Sequence, residues 1–136
     1  MKNLVYLFLL FGLAFFNACK SDEVNSATEY LVHINSPAAN TVKKVGEDLP
    51  VKVTFEEQNG GTVHHINVRI FNKVTNAEVY NKPAEAHVHT AASYTFEDNV
   101  TLHVAAGDYV LEAKVWGHDD GVAETIEKVA FKVEPQ

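Results

Sequence analysis

From residue 30 onward, apolar and polar side chains alternate in short runs separated by turn residues. That period of two marks strands with one face buried and the other in water. Residues 30–35 open the series and end at Ser36-Pro37. Over residues 49–55, Val51, Val53 and Phe55 share one face while Lys52 and Thr54 take the other. Asn59-Gly60-Gly61 then reads as a turn. Over residues 63–71, His64, Ile66, Val68 and Ile70 fall on one side, with His65, Asn67 and Arg69 opposite. Thr75-Asn76 turns the chain into a short strand over 77–80, which a polar stretch follows. Residues 94–104 return as a strand with Val100, Leu102 and Val104 inward. Residues 109–116 place Tyr109, Leu111, Ala113 and Val115 on one face, and 122–133 close the series with Val129, Phe131 and Val133 inward.

No helical period competes with this pattern. Seven short strands punctuated by turns predict an all-β fold: an immunoglobulin-like or fibronectin-III-like seven-stranded antiparallel sandwich. Gly107-Asp108-Tyr109-Val110-Leu111 has the form of the tyrosine corner that such sandwiches carry at the entry to their penultimate strand.

The apolar run at residues 4–16 is of another kind. It follows a positive Met1-Lys2-Asn3 start and is shorter than the ~20 apolar residues of a membrane-spanning helix. A basic tip, a run of this length and a small residue before a cut describe a secretory signal peptide. The run ends in Phe16-Asn17-Ala18-Cys19. Ala18-Cys19 resembles a bacterial lipobox, in which the thiol receives a diacylglyceryl group and the chain is cut just before it. Phe16 and Asn17 depart from the usual Leu and small residue, in the manner of the looser lipoboxes of Bacteroidetes. The plainer reading is a cleavable signal that happens to contain a cysteine. Cys19 is the only cysteine, so the rest of the chain has neither a disulfide nor a thiolate metal site.

Lys20-Ser21-Asp22-Glu23 resembles the surface-export signal of Bacteroidetes lipoproteins. The expected organisation is a lipoprotein signal peptide at 1–18, a lipidated flexible tether at 19–29, and one sandwich domain at 30–136. The expected address is the outer membrane, lipid-anchored at Cys19 and exposed at the cell surface, with a periplasm-facing arrangement as the alternative. Removing residues 1–18 takes away one lysine and no acid, so the formal charge of −7 becomes −8. That balance argues against nucleic acid, whose phosphates need a basic face, and suits cations.

The histidines carry the chemistry. All seven lie after Cys19: His33, His64, His65, His87, His89, His103 and His118. On a strand, His87 and His89 would point the same way with Cα atoms ~7 Å apart, a spacing from which two imidazoles reach one metal. In a sandwich of the expected topology, the B–C, C′–E and F–G connections gather at one end. His64 and His65 begin one strand there, and His87 and His89 lie in the connection before another. His118, Asp119 and Asp120 form the F–G turn. Imidazole with carboxylate suits Zn²⁺, Cu²⁺ or Ni²⁺. The candidate ligands are therefore His64, His65, His87, His89, His118 and Asp119. His87 and His89 form the pair, and His118 with one of His64 or His65 completes the set. Two plainer readings stay open: residues 117–121 as a simple turn, and His64 as a hydrogen-bonded core histidine. His103 is expected at the opposite end, and His33 has no assigned role.

The His64-His65 pair, the Asn72 to Tyr80 pattern Asn-x-x-Thr-x-x-Glu-Val-Tyr, His87 with His89, Gly-x-Tyr, and the His-Asp-x-Gly turn occur in one order. Together they resemble small immunoglobulin-like lipoproteins of Bacteroidetes with unassigned function, over residues 30–134. That resemblance implies a fold and a surface address, and brings no activity.

A catalytic role has little support. The chain has no cysteine nucleophile beyond the lipobox, no serine elbow, and no phosphate-binding loop. The expected function is Zn or Cu handling or scavenging at the histidine pole. The alternative is an interaction or adhesion module with a protein or glycan partner and no metal. Calcium, through Glu56, Glu57, Asp119 and Asp120, is weaker because the dense oxygen pattern is lacking. Lys43, Lys44 and Lys82, near the expected sheet edges, would discourage pairing with another subunit.

Overall fold

A computed structural model of the chain describes residues 28–118 and 123–136. The signal peptide, most of the tether, Cys19, Asp119 and Asp120 lie outside the described residues. Eight strands follow one another: β1 (Tyr30–Ser36), β2 (Val42–Lys44), β3 (Asp48–Glu57), β4 (Thr62–Asn72), β5 (Glu78–Ala91), β6 (Ser93–Thr101), β7 (Gly107–Trp116) and β8 (Thr125–Glu134). They form two sheets, one in the order β1-β3-β6 and the other in the order β2-β8-β7-β4-β5.

The alternation read from the sequence builds the core. Leu49, Val51, Val53 and Phe55 of β3 are buried, as are Ile66, Val68 and Ile70 of β4 and Leu111, Ala113 and Val115 of β7. Leu102, Phe131 and Val133 complete the apolar layer, with Val100, Val104 and Val129 packed at its margin. Each fully buried side chain of this size contributes about 1.5–3 kcal/mol over exposure. Tyr109 is buried, and its hydroxyl donates to the Ala105 carbonyl at 2.8 Å, the bond of a tyrosine corner.

Two elements differ from the sequence expectation. Val42–Lys44 is an eighth strand, running parallel to β8, so the sheet is not wholly antiparallel. It is too short, at three residues, to show a period. The other difference is larger. β5 does not stop at Tyr80 but runs on to Ala91, pairing with β4 along the outer edge of the five-stranded sheet. The polar residues hid it. Pro83 has no N–H to give a ladder and is tolerated on an edge strand. Near it the register slips, with Ile66 opposite Ala86 and Val68 opposite Lys82, so residues 83–85 face the single Asn67. The lysines expected at edges are there, Lys43 and Lys44 on β2 and Lys82 on β5.

On the solvent face of the five-stranded sheet, Glu112 is buried between two cations. Its carboxylate accepts from Arg69 at 2.6 Å and from Lys128 at 2.8 Å, tying β4, β7 and β8 together. Burial works to raise this carboxyl, but the bonds from Arg69 and Lys128 outweigh it and hold it below the ordinary range. The exposed Lys52–Glu97 pair is of a different order, worth under ~1 kcal/mol.

Tyr109→Phe keeps the ring and removes only the corner bond. Chemical denaturation should show a loss of about 1 kcal/mol with an unchanged slope. An unchanged midpoint would mean that the hydroxyl bond carries no stability.

Candidate metal centre

The site lies at the end of the sandwich where β3 turns into β4. Glu57 builds that turn from beneath. Its buried carboxylate accepts from the Asn59 N–H at 3.0 Å and from the Gly61 N–H. Gly60 adopts φ +79°, and a Cβ on Gly61 would lie 3.0 Å from the Glu57 carboxylate, so both positions call for glycine. The expected turn is present. Glu57, considered earlier for calcium, is engaged in holding it.

β4 then carries His64 on the same face as Ile66, Val68 and Ile70. His64 is only 7% exposed, among the few polar residues within the buried set. Opposite it the ladder breaks. Val63 pairs with Thr90 and His65 with His87, so Val88 and His89 together face the single His64. This is a β-bulge, which bends a strand and re-aims its side chains. His89 takes φ +46°, a conformation that few non-glycine residues adopt. On a strand the Cα atoms of His87 and His89 stand ~7 Å apart, a spacing the two rings can bridge. Here their ring centroids are 4.0 Å apart.

The result is a compact group of imidazoles around His64. Its centroid lies 3.7 Å from that of His118, 4.0 Å from His89, 4.7 Å from His87 and 5.1 Å from His65. The His64 Nδ1 and His87 Nε2 are hydrogen-bonded at 3.1 Å, one ring donating to the other. One ligand atom each from His64, His87 and His89 lies within 4.8 Å of the others. Tetrahedral zinc with bonds of 2.0–2.1 Å needs nitrogens about 3.3 Å apart. The bonded pair already meets that spacing, and the widest pair must close by at most about 1.5 Å.

Of the histidines picked out by sequence, His64, His87 and His89 form the triad, and His118 stands against His64. Between the alternatives His64 and His65, the geometry selects His64. His65 points to the outer face of the sheet and takes another part. Its Nδ1 bonds the Gly117 carbonyl at 2.6 Å, with the nitrogen donating. Its ring stacks on His87 at 4.5 Å and 9°, and on Trp116 at 5.3 Å and 15°. His87 and His89 lie on β5 rather than in a connection, and Asp119 falls outside the described residues. His103 follows β6 at the other end of the sandwich, where Thr101 pairs with Asp48. His33 is exposed on β1, away from the cluster. Sequence reading did not single out Thr28, Tyr30 or Trp116. Tyr30 donates to the Thr62 carbonyl at 3.3 Å, and a cleft of about 380 Å³ is lined by Thr28, Tyr30, His64, His89 and His118 among others. The one available signal was the only tryptophan, placed two residues before His118.

Protons are poorly accommodated here. Burial, then the positive charge that His118, His89, His87 and His65 would carry, lowers the His64 pKa to about 4. His87 is also lowered, by desolvation first and then by His89, His65 and His118. At neutral pH His64 and His87 are therefore held as uncharged imidazoles, the form that binds metal.

No family model matches the sequence, and no curated protein matches it. Solved structures do. The CARDB domain of a Pyrococcus furiosus protein, solved by solution NMR, gives a TM-score of 0.53 at 16% identity, covering 78% of this chain and 94% of that one. The crystal structure of that domain, in complex with di-metal ions, gives 0.53 at 15% identity, over 78% and 93%. A family 123 glycoside hydrolase from Clostridium perfringens gives 0.51 at 10% identity, over 80% of this chain and 27% of the enzyme. The likeness is one of fold. This chain is an immunoglobulin-like β-sandwich.

The depressed His64 pKa sets a pH dependence for the metal-free domain. Unfolded, His64 takes a proton near 6.5; folded, it refuses one until about 4. Between those values the unfolded chain binds more protons, so stability is complete above 6.5 and falls as the pH drops toward 4. Urea midpoints measured in chelator at pH 7 and pH 5 should show that fall, and His64→Gln should flatten it. An equal fall in the variant would place the effect elsewhere.

Proposed function

We propose that this chain is an outer-membrane lipoprotein, anchored at Cys19, whose histidine pole binds a divalent transition metal, Zn²⁺ or Cu²⁺, in a handling or scavenging role. The observation that carries this reading is the convergence of His64, His87 and His89 on one point, with His118 alongside. A surface that used its histidines only as polar contacts would have no reason to crowd them until one could scarcely be protonated. The reading rests on these side chains and not on the fold likeness.

The donor set narrows the metal. Nitrogen ligands suit Zn²⁺ and Cu²⁺. After Cys19 the chain has no thiol and no methionine, the soft donors that a Cu⁺ carrier uses. His64, His87 and His89 would supply three ligands and His118 a fourth. His65 would orient His87 through their stack and hold the start of the following loop through Gly117. In this reading the role is binding, with the imidazoles as ligands and Thr28 and Tyr30 lining the cleft beside them.

Calorimetry on the chain from Ser21 onward should give one-to-one Zn²⁺ or Cu²⁺ binding, with affinity declining below about pH 6 as the imidazoles protonate. Joint His87→Ala and His89→Ala should abolish it. Binding no tighter than that of an isolated surface histidine, or indifferent to the double substitution, would sink the metal reading and leave an interaction module for a protein or glycan.

A second readout needs no label. Trp116 stacks on His65, which stacks on His87, so Cu²⁺ at the site should quench the only tryptophan at one equivalent. Zn²⁺, which has no redox chemistry and a filled d shell, should not quench it. Cu²⁺ quenching that stays unsaturated past many equivalents would indicate scattered weak sites.

A further inference from the structure

The histidine pole is also where the chain enters the domain. Thr28 lines the cleft beside His64, His89 and His118. The Glu29 carbonyl accepts the Gln58 N–H at 2.9 Å, and Tyr30 pairs with Glu57 next to the turn that leads to His64. β1 then runs away from that pole, toward the pairing of Ser36 with Lys52. The other end of the chain leaves at the far pole. β8 starts opposite Val115 and finishes with Glu134 beside Lys44.

Nine residue steps separate Cys19 from Thr28. A polypeptide spans at most ~3.3–3.6 Å per residue, so Thr28 can lie no more than about 30 Å from an anchored Cys19. The far pole can stand about twice as far away. β3 alone puts roughly another 30 Å of strand between Glu57 and Asp48.

We infer that the metal centre faces the bilayer. The lipid anchor at Cys19 keeps the pole of His64, His87, His89 and His118 within that reach of the headgroup layer, and the end bearing His103 points outward. The inference rests on the metal-binding and lipid-anchor readings of the previous subsection and adds a direction to them. Metal reaches the site from the membrane-proximal layer, and the outward pole carries no share of that traffic. Charge does not supply the orientation. The chain beyond residue 18 is acidic, so an anionic bilayer does not attract its surface, and the short covalent reach does the holding.

The test uses the full acylated protein in vesicles carrying a dansyl headgroup, with energy transfer read from tryptophan. Trp116 ends β7 at the histidine pole and reports it directly. Trp116→Phe combined with His103→Trp moves the donor to an exposed position at the far pole. Transfer from Trp116 should exceed that from residue 103 by roughly twofold or more, given the difference in reach. A Gly-Ser insert after Ser21 should lower the Trp116 signal without touching the fold. Equal transfer from both poles, or stronger transfer from residue 103, would overturn the orientation. So would a Trp116 signal unchanged by the insert, since the domain would then be adhering through its own surface. Failure of the full chain to partition onto vesicles, or partition unchanged by Cys19→Ala, would remove the anchor and the inference with it. Metal takes no part in the transfer measurement, so a failed orientation and a failed metal site are read separately.

Discussion

The arrangement at the histidine pole depends on one mismatch in a ladder. Where β4 offers His64, β5 offers two residues, Val88 and His89, and the extra residue must be absorbed by the backbone of the longer side. His89 absorbs it by adopting φ +46°. Without that bulge, β5 would set one residue opposite His64 rather than two. With it, one ring from β4 and two from β5 converge, and the His118 ring stands against His64 from just beyond the end of β7. A local departure from regular pairing is thus the device that makes a cluster out of a sheet.

The surrounding structure explains why the departure is held. The Glu57 carboxylate fixes the β3–β4 turn, and Ala92 bonds both to Glu57 and to Gly61 through its own carbonyl and N–H. His65 hooks the Gly117 carbonyl from the other side of the sheet. Glu57 and His65 sit on β3 and β4, whose inner faces are buried. The strain of a non-glycine residue at positive φ costs of order 1–3 kcal/mol and persists where its neighbours fix it from several sides. The bonds around the bulge thus hold the histidine pole from several sides.

Much of this was legible in the sequence, and the reasons for the rest are particular. Strict alternation gave β3, β4 and β7 because each has one wet and one dry face, and Tyr109 announced its corner through its neighbours. β5 was not legible past Tyr80. An edge strand need bury little, and Lys82 and Pro83 are what protects such an edge. The gathering of His64, His87, His89 and His118 followed from fold topology and residue order. The choice of His64 over His65 was implicit in the parity that placed His64 with Ile66 and Val68. Parity alone does not decide it, because a histidine on a core face is equally explained by a hydrogen bond, which His64 also makes. The bulge was invisible, since no residue type marks it when the strained position is histidine rather than glycine.

Ala92 has one more consequence. It alone separates β5 from β6, and with φ +61° it carries the chain from the five-stranded sheet to the three-stranded one. The β4–β5 turn at residues 73–77, stabilised by the Asn72 side chain accepting from Val74 and Thr75, lies at the other end of both strands. The two connections therefore differ in how they bear on the histidines. Length added around residue 75 enters the hairpin turn that sets the β4–β5 register, and through it the facing of His89 and His64. Length added at residue 92 leaves that ladder alone but pulls the Ala92 N–H and carbonyl away from Gly61 and Glu57, beneath the histidines. One end of the domain thus governs the histidines through register, and the other through the bonds under them.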